Sequence, residues 1–252
     1  MEKLTVLTIA LNEEMNIAPC LESVRWADEI IVVDSGSTDR TVEQARRYTS
    51  QVFSVEWQSY GAARNFGLSH ATGDWILWLD ADERVTPELA GEIKQILERD
   101  DRRIAGYAIA RRAYFLGRWI KHCGWYPSRV VRLFRKQHGK FSESRVHEKL
   151  ELHGETEPTR SDLLHFTDPN LHRYLIKFNK YTSLGADDLY EAGRRFRYSD
   201  VILRPVFQFF KMYLVRRGFL DGMPGFILCA LSSAYVFAKY AKLWEREQNT
   251  HA

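Results

Sequence analysis

Two aspartates separated by one residue, Asp80 and Asp82, follow an apolar run that extends from Trp75 to Leu79. Such a run is typical of a strand that is buried on both faces. Two carboxylates at the end of a buried strand are costly to desolvate unless a positive group joins them. A divalent cation is a suitable partner, because Mg2+ is usually held by one or two carboxylates together with substrate phosphates. The alternative is a charged turn that ends a buried strand.

Polar side chains also follow two earlier predicted strands. Asn12 and Glu13 come directly after an apolar, β-branched run at residues 4–11, and Asp34 and Ser35 end a second apolar run. Ligands of open parallel sheets bind outside the carboxyl ends of the strands. We therefore expect these clusters and the aspartate pair to converge on one site.

The elements that position these clusters follow from hydrophobic periodicity. Strands are predicted near residues 4–11, 29–34, 52–55 and 74–80, and helices near 16–24, 38–48, 61–70 and 86–99. Strands that alternate with short helices indicate an α/β fold, with a parallel sheet covered by helices on both faces. Beyond residue 104 the pattern predicts strands at 106–115, 129–135 and within 141–152, then helices at 171–191, 206–217 and 226–244.

Composition bounds the class of protein. The chain has 252 residues, 45% of them hydrophobic and 27% charged, which is ordinary for a globular protein. A formal charge of +3 is too small to indicate a nucleic-acid partner. The three cysteines are far apart and form no paired motif, which favours a reducing compartment. No signal-peptide pattern is present, and the apolar run at 226–238 is shorter than the ~20 residues that a membrane span needs.

Four segments together carry a resemblance to a known family. They are Leu11–Glu14, Ile31–Asp39, Gly61–Asn65 and Leu79–Glu83. In this order they resemble the family-two inverting glycosyltransferases, which have a GT-A fold, over about the first 90 residues. Val146-His147-Glu148 and a basic, aromatic tail are similar to the bacterial branch that glycosylates the lipopolysaccharide inner core, especially the beta-glucosyltransferases that act on heptose.

The resemblance implies a fold and a domain organisation. Residues 1–168 would form the GT-A catalytic domain, a Rossmann-like and mostly parallel sheet, with a nucleotide-binding half at about 1–103 and an acceptor half at about 104–168. Residues 169–252 would form a C-terminal helical extension that could associate with a membrane.

It also implies roles for individual residues. Asp34 would accept a hydrogen bond from a uracil ring, as an acceptor-only carboxylate can, although a turn-forming aspartate is the alternative. Asp39 is either a nucleotide contact or a helix cap, and Arg64 is either a nucleotide contact or a solvated helix residue. The full set of nucleotide-sugar-binding positions is Asn12, Glu13, Asp34, Ser35, Asp39, Arg64, Asn65 and Asp80.

The metal and the general base follow from the same resemblance. Asp82, with Asp80, would bind Mg2+ or Mn2+ and so act in catalysis by neutralising the departing diphosphate. Glu83 is either a supporting group or an exposed acid. The Glu-Asp pair and the Gln-x-x-Arg-Trp motif that many relatives use are missing here. Glu148 is therefore our candidate for the base, and His147 a candidate metal ligand or phosphate contact; a polar strand end is the alternative for both.

Histidines elsewhere, His122 and His165, are expected to be core or surface residues. The tail is basic, with seven Lys/Arg and one Asp between residues 194 and 220. Segments that mix large apolar and basic side chains can lie in a membrane interface; a helical lid or a dimer interface is the alternative. The oligomeric state stays open.

We therefore predict a cytoplasmic enzyme, peripheral on the inner membrane face, that moves a sugar, expected to be glucose, from a UDP-sugar to a lipid-linked saccharide. A nucleotidyltransferase is one alternative, disfavoured because the first loop is acidic rather than glycine-rich and basic. A catalytically inactive sugar-nucleotide or lipid-binding module is the other, and turnover would distinguish it. A membrane scaffold would have no need of polar clusters at three strand ends.

Overall fold

The computed structural model describes residues 2–142 and 149–250. Its strands are β1 (Leu4–Ala10), β2 (Glu29–Asp34), β3 (Val52–Ser54), β4 (Trp75–Asp80), β5 (Glu83–Val85), β6 (Ile104–Phe115), β7 (Arg118–Trp119), β8 (Ser128–Arg135), β9 (Gly139–Phe141), β10 (Leu150–Leu152) and β11 (Glu155–Asp168). Its helices are α1 (Ile17–Glu22), α2 (Thr41–Ala45), α3 (Tyr60–His70), α4 (Pro87–Arg99), α5 (Leu171–Glu191), α6 (Tyr198–Phe210) and α7 (Gly222–Thr250).

A mixed sheet with the strand order β3-β2-β1-β4-β8-β6-β11-β5 organises the described chain, and β7 pairs with β6. The first four strands of this order are parallel, as predicted. β8 is antiparallel to both β4 and β6, and β5 is antiparallel to β11. The parallel half therefore brings the carboxyl ends of β1, β2 and β4 to one edge.

Both faces of β1, β2 and β4 are covered, which explains why their sequences are mostly apolar. In β1, Leu4 and Val6 belong to one hydrophobic cluster, which contains residues of α1 and α4. Leu7 and Ile9 alternate to the opposite face and belong to a second cluster, which contains residues of α3. The core is thus two apolar layers with the sheet between them.

The structure corrects several predicted bounds. The helix expected at 38–48 is the short α2, and α6 starts at Tyr198 rather than at residue 206. In place of the strand predicted within 141–152, the described residues form two short strands, β9, which ends at Phe141, and β10. β5 and β11 were missed altogether. Much of β11 is polar and its first four residues are exposed, so its sequence carries little strand signal.

The chain divides into two compact units. Unit 1 comprises residues up to Arg111 together with Ser128–His165, and it contains the parallel strands and α1 to α4. Unit 2 comprises Arg112–Pro127 and residues from Phe166 onward, and it contains β7 and α5 to α7. The predicted division at residue 168 into a catalytic domain and an extension stays a prediction.

Unit 2 has its own apolar core, where Phe115, Ile120, Met212 and Leu228 are buried together. Within the described chain, one helical stretch, Gly218–Asn249, is long and apolar enough to cross a membrane, on length and composition alone. Only 22% of its most apolar window is buried.

Candidate active site

The loops that follow β1 and β2 are hydrogen-bonded to each other at the carboxyl edge of the sheet. Asn12, which has a φ of 55°, donates its backbone N–H to Ser37 Oγ (2.8 Å). Its side-chain Oδ1 accepts the backbone N–H of Thr38 (2.8 Å). Glu13 extends the connection, because its backbone N–H donates to Thr41 Oγ1 (2.8 Å). The two polar clusters that follow these strands therefore converge.

Asp34 ends β2 with a carboxylate that is almost fully buried, at 2% exposure. Its Oδ2 accepts the backbone N–H groups of Gly36 (3.0 Å) and Ser37 (2.9 Å). Gly36 has a φ of 94°, a conformation that favours glycine. Oδ1 is buried and has no hydrogen-bond partner in the described structure. A buried acceptor without a donor costs free energy, so this oxygen is suited to an N–H group that arrives with a ligand.

Ser35 and Asp39 complete the turn between β2 and α2. Ser35 is buried, and its backbone N–H donates to the carbonyl of Ala10 (3.0 Å). The Asp39 carboxylate accepts hydrogen bonds from the backbone and hydroxyl of Thr41 and from the backbone of Glu14. Burial alone would raise the pKa of Asp39, but these hydrogen bonds lower it below its ordinary value. Asp39 therefore holds the turn as an ionised acceptor, and its contact with a nucleotide stays a prediction.

Arg64 is held against the carboxyl end of β4 by α3. The helix packs closely on β1 at Gly67, where a Cβ would lie 2.2 Å from Leu7 Cδ1. Arg64 is 6% exposed, and its Nη2 donates to Asp80 Oδ1 (2.9 Å). Its guanidinium carbon lies 4.4 Å from the centre of the Trp78 ring. The alternative of a solvated helix arginine is therefore wrong.

Arg132, in the middle of β8, is a site residue that sequence reasoning missed. It is 1% exposed, and its Nη2 donates to Asp80 Oδ2 (2.7 Å) and to Glu83 Oε1 (2.5 Å). Its guanidinium carbon lies 3.6 Å from the Trp78 ring centre, within cation–π distance. Glu83, on β5, is fully buried, and its Oε2 accepts the backbone N–H of Asp80 (3.0 Å), so the alternative of an exposed acid is wrong.

We call these four side chains, Arg64, Asp80, Glu83 and Arg132, the arginine–carboxylate network. Burial alone would raise the pKa of Asp80, but attraction to Arg132 and Arg64 lowers it well below its ordinary value. Burial raises the pKa of Glu83, although Arg132 opposes this. Burial would lower the pKa of Arg132, but the two carboxylates raise it. Asp80 and Arg132 therefore form an ionised pair at neutral pH.

Asp82 lies beside His165, with Asp82 Oδ1 3.5 Å from His165 Nε2. β11 carries this histidine to the site, because it pairs with β5 in a register that sets His165 opposite Glu83. This placement could not be predicted from the sequence, because β11 itself was missed. In the described residues, no three His, Cys, Asp or Glu side chains are arranged to hold a metal ion by themselves. A cation at Asp82 would therefore need oxygens from a bound substrate, which is the usual way that Mg2+ is held.

The sheet register fixes the spacing of the site. Ala10 of β1 is opposite Asp34, and Ile9 is opposite Asp80, so the two aspartates flank β1 at nearly the same height. Two strand spacings separate them by roughly 10 Å. The two aspartates have different partners. Each oxygen of Asp80 accepts an arginine N–H, whereas Asp82 lies beside a histidine.

Of the remaining predicted residues, one contacts a different part of the structure and two fall outside the described residues. The side-chain amide of Asn65 pairs with the backbone N–H and carbonyl of Phe141 (3.0 and 2.8 Å), which ties α3 to β9. Its predicted nucleotide contact stays a prediction. Glu148 and His147 lie outside the described residues, so their predicted roles as base and metal ligand also stay predictions.

Comparison with known proteins identifies the family. The family model described as Glycosyl transferase family 2 matches residues 5–157. A lipopolysaccharide core biosynthesis glycosyltransferase, LpsC of Rhizobium meliloti, is 32% identical over 96% of this chain and 92% of its own length. An uncharacterised glycosyltransferase of Rickettsia typhi is 29% identical over 97% of this chain and 88% of its own.

Solved structures give a more local match. Glucosyl-3-phosphoglycerate synthase of Mycobacterium tuberculosis, in a structure with Mg2+ and uridine diphosphate, is 27% identical, with a TM-score of 0.39. The match covers 44% of this chain and 44% of the solved chain, so it spans less than half of that protein.

The family model covers more than half of the chain, and the Rhizobium relative is similar along nearly all of it. The observed sheet agrees with the GT-A fold that the sequence predicts. The chain is a member of glycosyl transferase family 2 and is similar to enzymes of lipopolysaccharide core biosynthesis.

Proposed function

We propose that this glycosyltransferase is metal-dependent and inverting, and that it moves a sugar, which we take to be glucose, from a UDP-sugar to a lipid-linked saccharide. The acceptor would be of the kind found in the lipopolysaccharide inner core, where heptose carries the added sugar. The single observation that supports the donor assignment best is the unpartnered, buried oxygen of Asp34.

Asp34 suits a uracil ring for a chemical reason. Uracil presents an N–H group between two carbonyls, and a carboxylate only accepts hydrogen bonds. The other oxygen of Asp34 is already fixed by Gly36 and Ser37, so the free oxygen has a set direction before the donor binds. The proposed donor then extends from Asp34 toward Asp80, about 10 Å away across β1.

The arginine–carboxylate network would orient the middle of the donor. Arg64 and Arg132 hold both oxygens of Asp80, so this carboxylate cannot rotate freely. Planar guanidinium groups are well matched to carboxylate and phosphate oxygens. In this proposal Asp80 accepts from the ribose, while Arg64 contributes positive charge near the diphosphate.

A divalent cation, Mg2+ or Mn2+, fits the donor set at Asp82. A half-buried carboxylate with an adjacent imidazole supplies one or two ligands, and the donor diphosphate would supply the others. Bound there, the cation would neutralise negative charge on the departing nucleoside diphosphate. Asp82 would hold this charge at the strand end, and His165 would orient the carboxylate or join it as a ligand.

An inverting transfer also needs a base on the acceptor hydroxyl, on the side opposite the leaving group. We keep Glu148 as the candidate base and His147 as a candidate metal or phosphate contact. Both rest on the sequence resemblance alone.

The relative named for lipopolysaccharide core biosynthesis supports the choice of acceptor class. An acceptor anchored in lipid would be met at the cytoplasmic face of the inner membrane, and we propose that the protein works there as a peripheral enzyme. The basic, apolar tail in unit 2 supports this location.

The test is a transfer assay with radiolabelled UDP-glucose, UDP-galactose and GDP-mannose, each with Mn2+, Mg2+ or EDTA. The acceptor is heptose-terminated core lipopolysaccharide in mixed micelles. We expect metal-dependent transfer from UDP-glucose. Because the proposed transfer is inverting, the sugar in the product should be β-linked.

Asp101→Asn serves as a control variant for Asp82→Asn in this assay. Asp101 is an acid that pairs with Arg103 outside the site, so its substitution should leave transfer unchanged. Transfer from GDP-mannose but not from a UDP-sugar would refute the donor assignment. Nucleotide binding with no transfer to any lipid-linked acceptor would instead support the inactive sugar-nucleotide-binding module.

A further inference from the structure

A stripe of exposed apolar side chains runs along α6 in unit 2 and onto the π-helical turn that follows it, Lys211–Val215. We call it the α6 stripe; its members are Tyr198, Ile202, Leu203, Val206, Phe207, Phe210 and Leu214. Each is between 51% and 78% exposed. Spacings of three and four residues place them on one helical face.

The exposed surface continues at the turn into α7. Val215, Phe219, Leu220 and Met223 are 47–75% exposed. Together with the α6 stripe, these side chains expose on the order of 1,000 Å² of apolar surface, judged from typical side-chain areas. Monomeric proteins rarely expose contiguous apolar patches larger than a few hundred Å². Such a surface indicates a partner.

The opposite face of α6 is already used within unit 2. Pro205 is buried, and its carbonyl accepts a hydrogen bond from Ser233 Oγ of α7 (2.7 Å). Asp200 is also buried, where it pairs with Arg194 and Arg204. The stripe is therefore the face of α6 that remains after the helix has packed on its own unit.

Basic residues accompany the stripe. Lys211, Arg216 and Arg217 are exposed around its end, and Arg195 and Arg197 precede its start. The acid in this segment, Asp200, is buried in its ion pairs, so it does not offset these charges at the surface. An apolar stripe flanked by cations is complementary to a bilayer surface that carries anionic headgroups. This charge argues for lipid over an apolar protein groove.

α7 is long and apolar enough to cross a membrane, but its polar side chains hold it to α5. Lys242 Nζ donates to Asn179, Thr182 and Ser183 at 2.8–3.0 Å. Arg246 forms an ion pair with Asp187. A crossing helix would have to give up these contacts with α5 and carry the charged ends of Lys242 and Arg246 through the hydrocarbon, where cations are costly.

We propose that unit 2 binds an anionic bilayer surface through the α6 stripe, with α6 lying in the interface plane and α7 remaining on the protein side. The inference rests on the proposed function in one respect, because the bilayer is the surface on which a lipid-linked acceptor would be presented. It goes further in naming the contact face and in making the attachment in-plane rather than spanning.

The first experiment is flotation of the full-length protein with vesicles of phosphatidylcholine, with or without phosphatidylglycerol. The test variant is Ile202→Ser with Phe207→Ser, which changes two side chains that are already exposed. The control is Phe237→Ser, because Phe237 on α7 is 52% exposed but lies outside the stripe. We expect wild type and control to float with phosphatidylglycerol vesicles, and the test variant to bind at least about tenfold more weakly.

Three outcomes would overturn the inference. They are equal flotation of the test variant and wild type, equal binding to vesicles without phosphatidylglycerol, and a solution dimer that the test variant dissociates, which would assign the stripe to a second copy. Thermal stabilisation by UDP is measured on the same samples. Flotation without any response to UDP in wild type would contradict the proposed donor and leave this inference standing. A response to UDP without flotation would contradict this inference and the peripheral location, and leave the proposed donor standing.

A second experiment separates in-plane from spanning attachment. The native cysteines are buried, so an added Gln248→Cys near the end of α7 offers an exposed thiol. Protein bound to preformed vesicles is treated with a membrane-impermeant maleimide, with Ser50→Cys in unit 1 as the exposed control. Both thiols should react fully before detergent is added. Protection of Gln248→Cys alone until detergent is added would show that α7 crosses, and the in-plane arrangement would be wrong.

Discussion

The role of Asp34 can be tested by exchanging its carboxylate for an amide. In Asp34→Asn, the amide oxygen can take over the N–H groups of Gly36 and Ser37, which leaves an NH2 group where the unpartnered oxygen lies. That group would face the N–H of uracil, so two donors would meet. A hydrogen bond to a charged group contributes about 1.5–3 kcal/mol. The dissociation constant of UDP should therefore rise about 10- to 140-fold.

The assay is isothermal titration with UDP and with N3-methyl-UDP, both in the presence of Mn2+. The methyl group removes the uracil N–H, so wild type should bind the methylated nucleotide much more weakly than UDP. Asp34→Asn should bind the two ligands with nearly equal affinity, because the hydrogen bond is already lost. A double-mutant cycle on these four constants isolates the contact from general damage to the loop.

Asp28→Asn is the matched control. Asp28 Oδ2 accepts the backbone N–H of Leu4 (2.8 Å) at the opposite end of β1, so its loss should affect stability and not the affinity for UDP. A change below about threefold in Asp34→Asn, or equal losses for UDP and N3-methyl-UDP, would refute the reasoning, since either result would mean that Asp34 does not accept from the base.

Three further predictions concern metal, charge and packing. Asp82→Asn should weaken UDP binding in Mn2+ by about tenfold, or 1.4 kcal/mol, and leave binding in EDTA unchanged; equal losses in both would contradict the metal assignment. Arg132→Met should destabilise the fold by about 3–5 kcal/mol at neutral pH in urea titrations, because it removes one of the two arginine partners of Asp80 and the arginine that donates to the fully buried Glu83. Since Arg132 helps to lower the pKa of Asp80, that stabilisation is present above the unfolded pKa of about 4 and is lost as the pH falls toward the folded pKa, so the deficit should shrink in acid; a pH-independent deficit would contradict this. Gly225→Ala should lower stability by about 1–3 kcal/mol, because its Cβ would lie 2.3 Å from the Gly218 carbonyl, whereas Gly91→Ala in α4 meets nothing within 4 Å and should gain about 0.5–1 kcal/mol in thermal melts.

The parallel half of the fold was predictable because burial on both faces leaves a direct mark on the sequence. β1, β2 and β4 are continuous apolar runs, and each is followed by polar residues. The meeting of Asn12 with the loop after β2 followed from that pattern, since the carboxyl ends of parallel strands lie at one edge.

The antiparallel half was less predictable for two physical reasons. β11 exposes its first residues, so its apolar signal is weak and the strand was not predicted. The position of His165 beside Asp82 could therefore not be predicted either. Arg132 reads in sequence as one of several arginines in a strand, and nothing local shows that its charge is balanced by carboxylates 49 and 52 residues away. The apolar residues on either side of Arg132, Val131 and Leu133, were a signal that could have prompted the search for such partners.

The predicted start of α6 was wrong for a similar reason. Pro205 lies inside α6, although proline removes a backbone donor and usually marks a helix start or break. Packing on α7 stabilises the helix on both sides of this residue, and such long-range contacts are not visible in the local sequence.

The charge balance of the arginine–carboxylate network has a consequence for how the donor arrives. The charges of Arg64 and Arg132 are offset within the network by the carboxylates that they hold, so the network itself projects little field into solvent. In the proposed function, the UDP-sugar would enter together with a divalent cation, and that complex is also close to neutral. Screening by salt acts on net charges at a distance. Association with the donor should therefore be nearly independent of ionic strength, so electrostatic steering adds little to its rate and the fit of the donor at short range determines which nucleotide is retained.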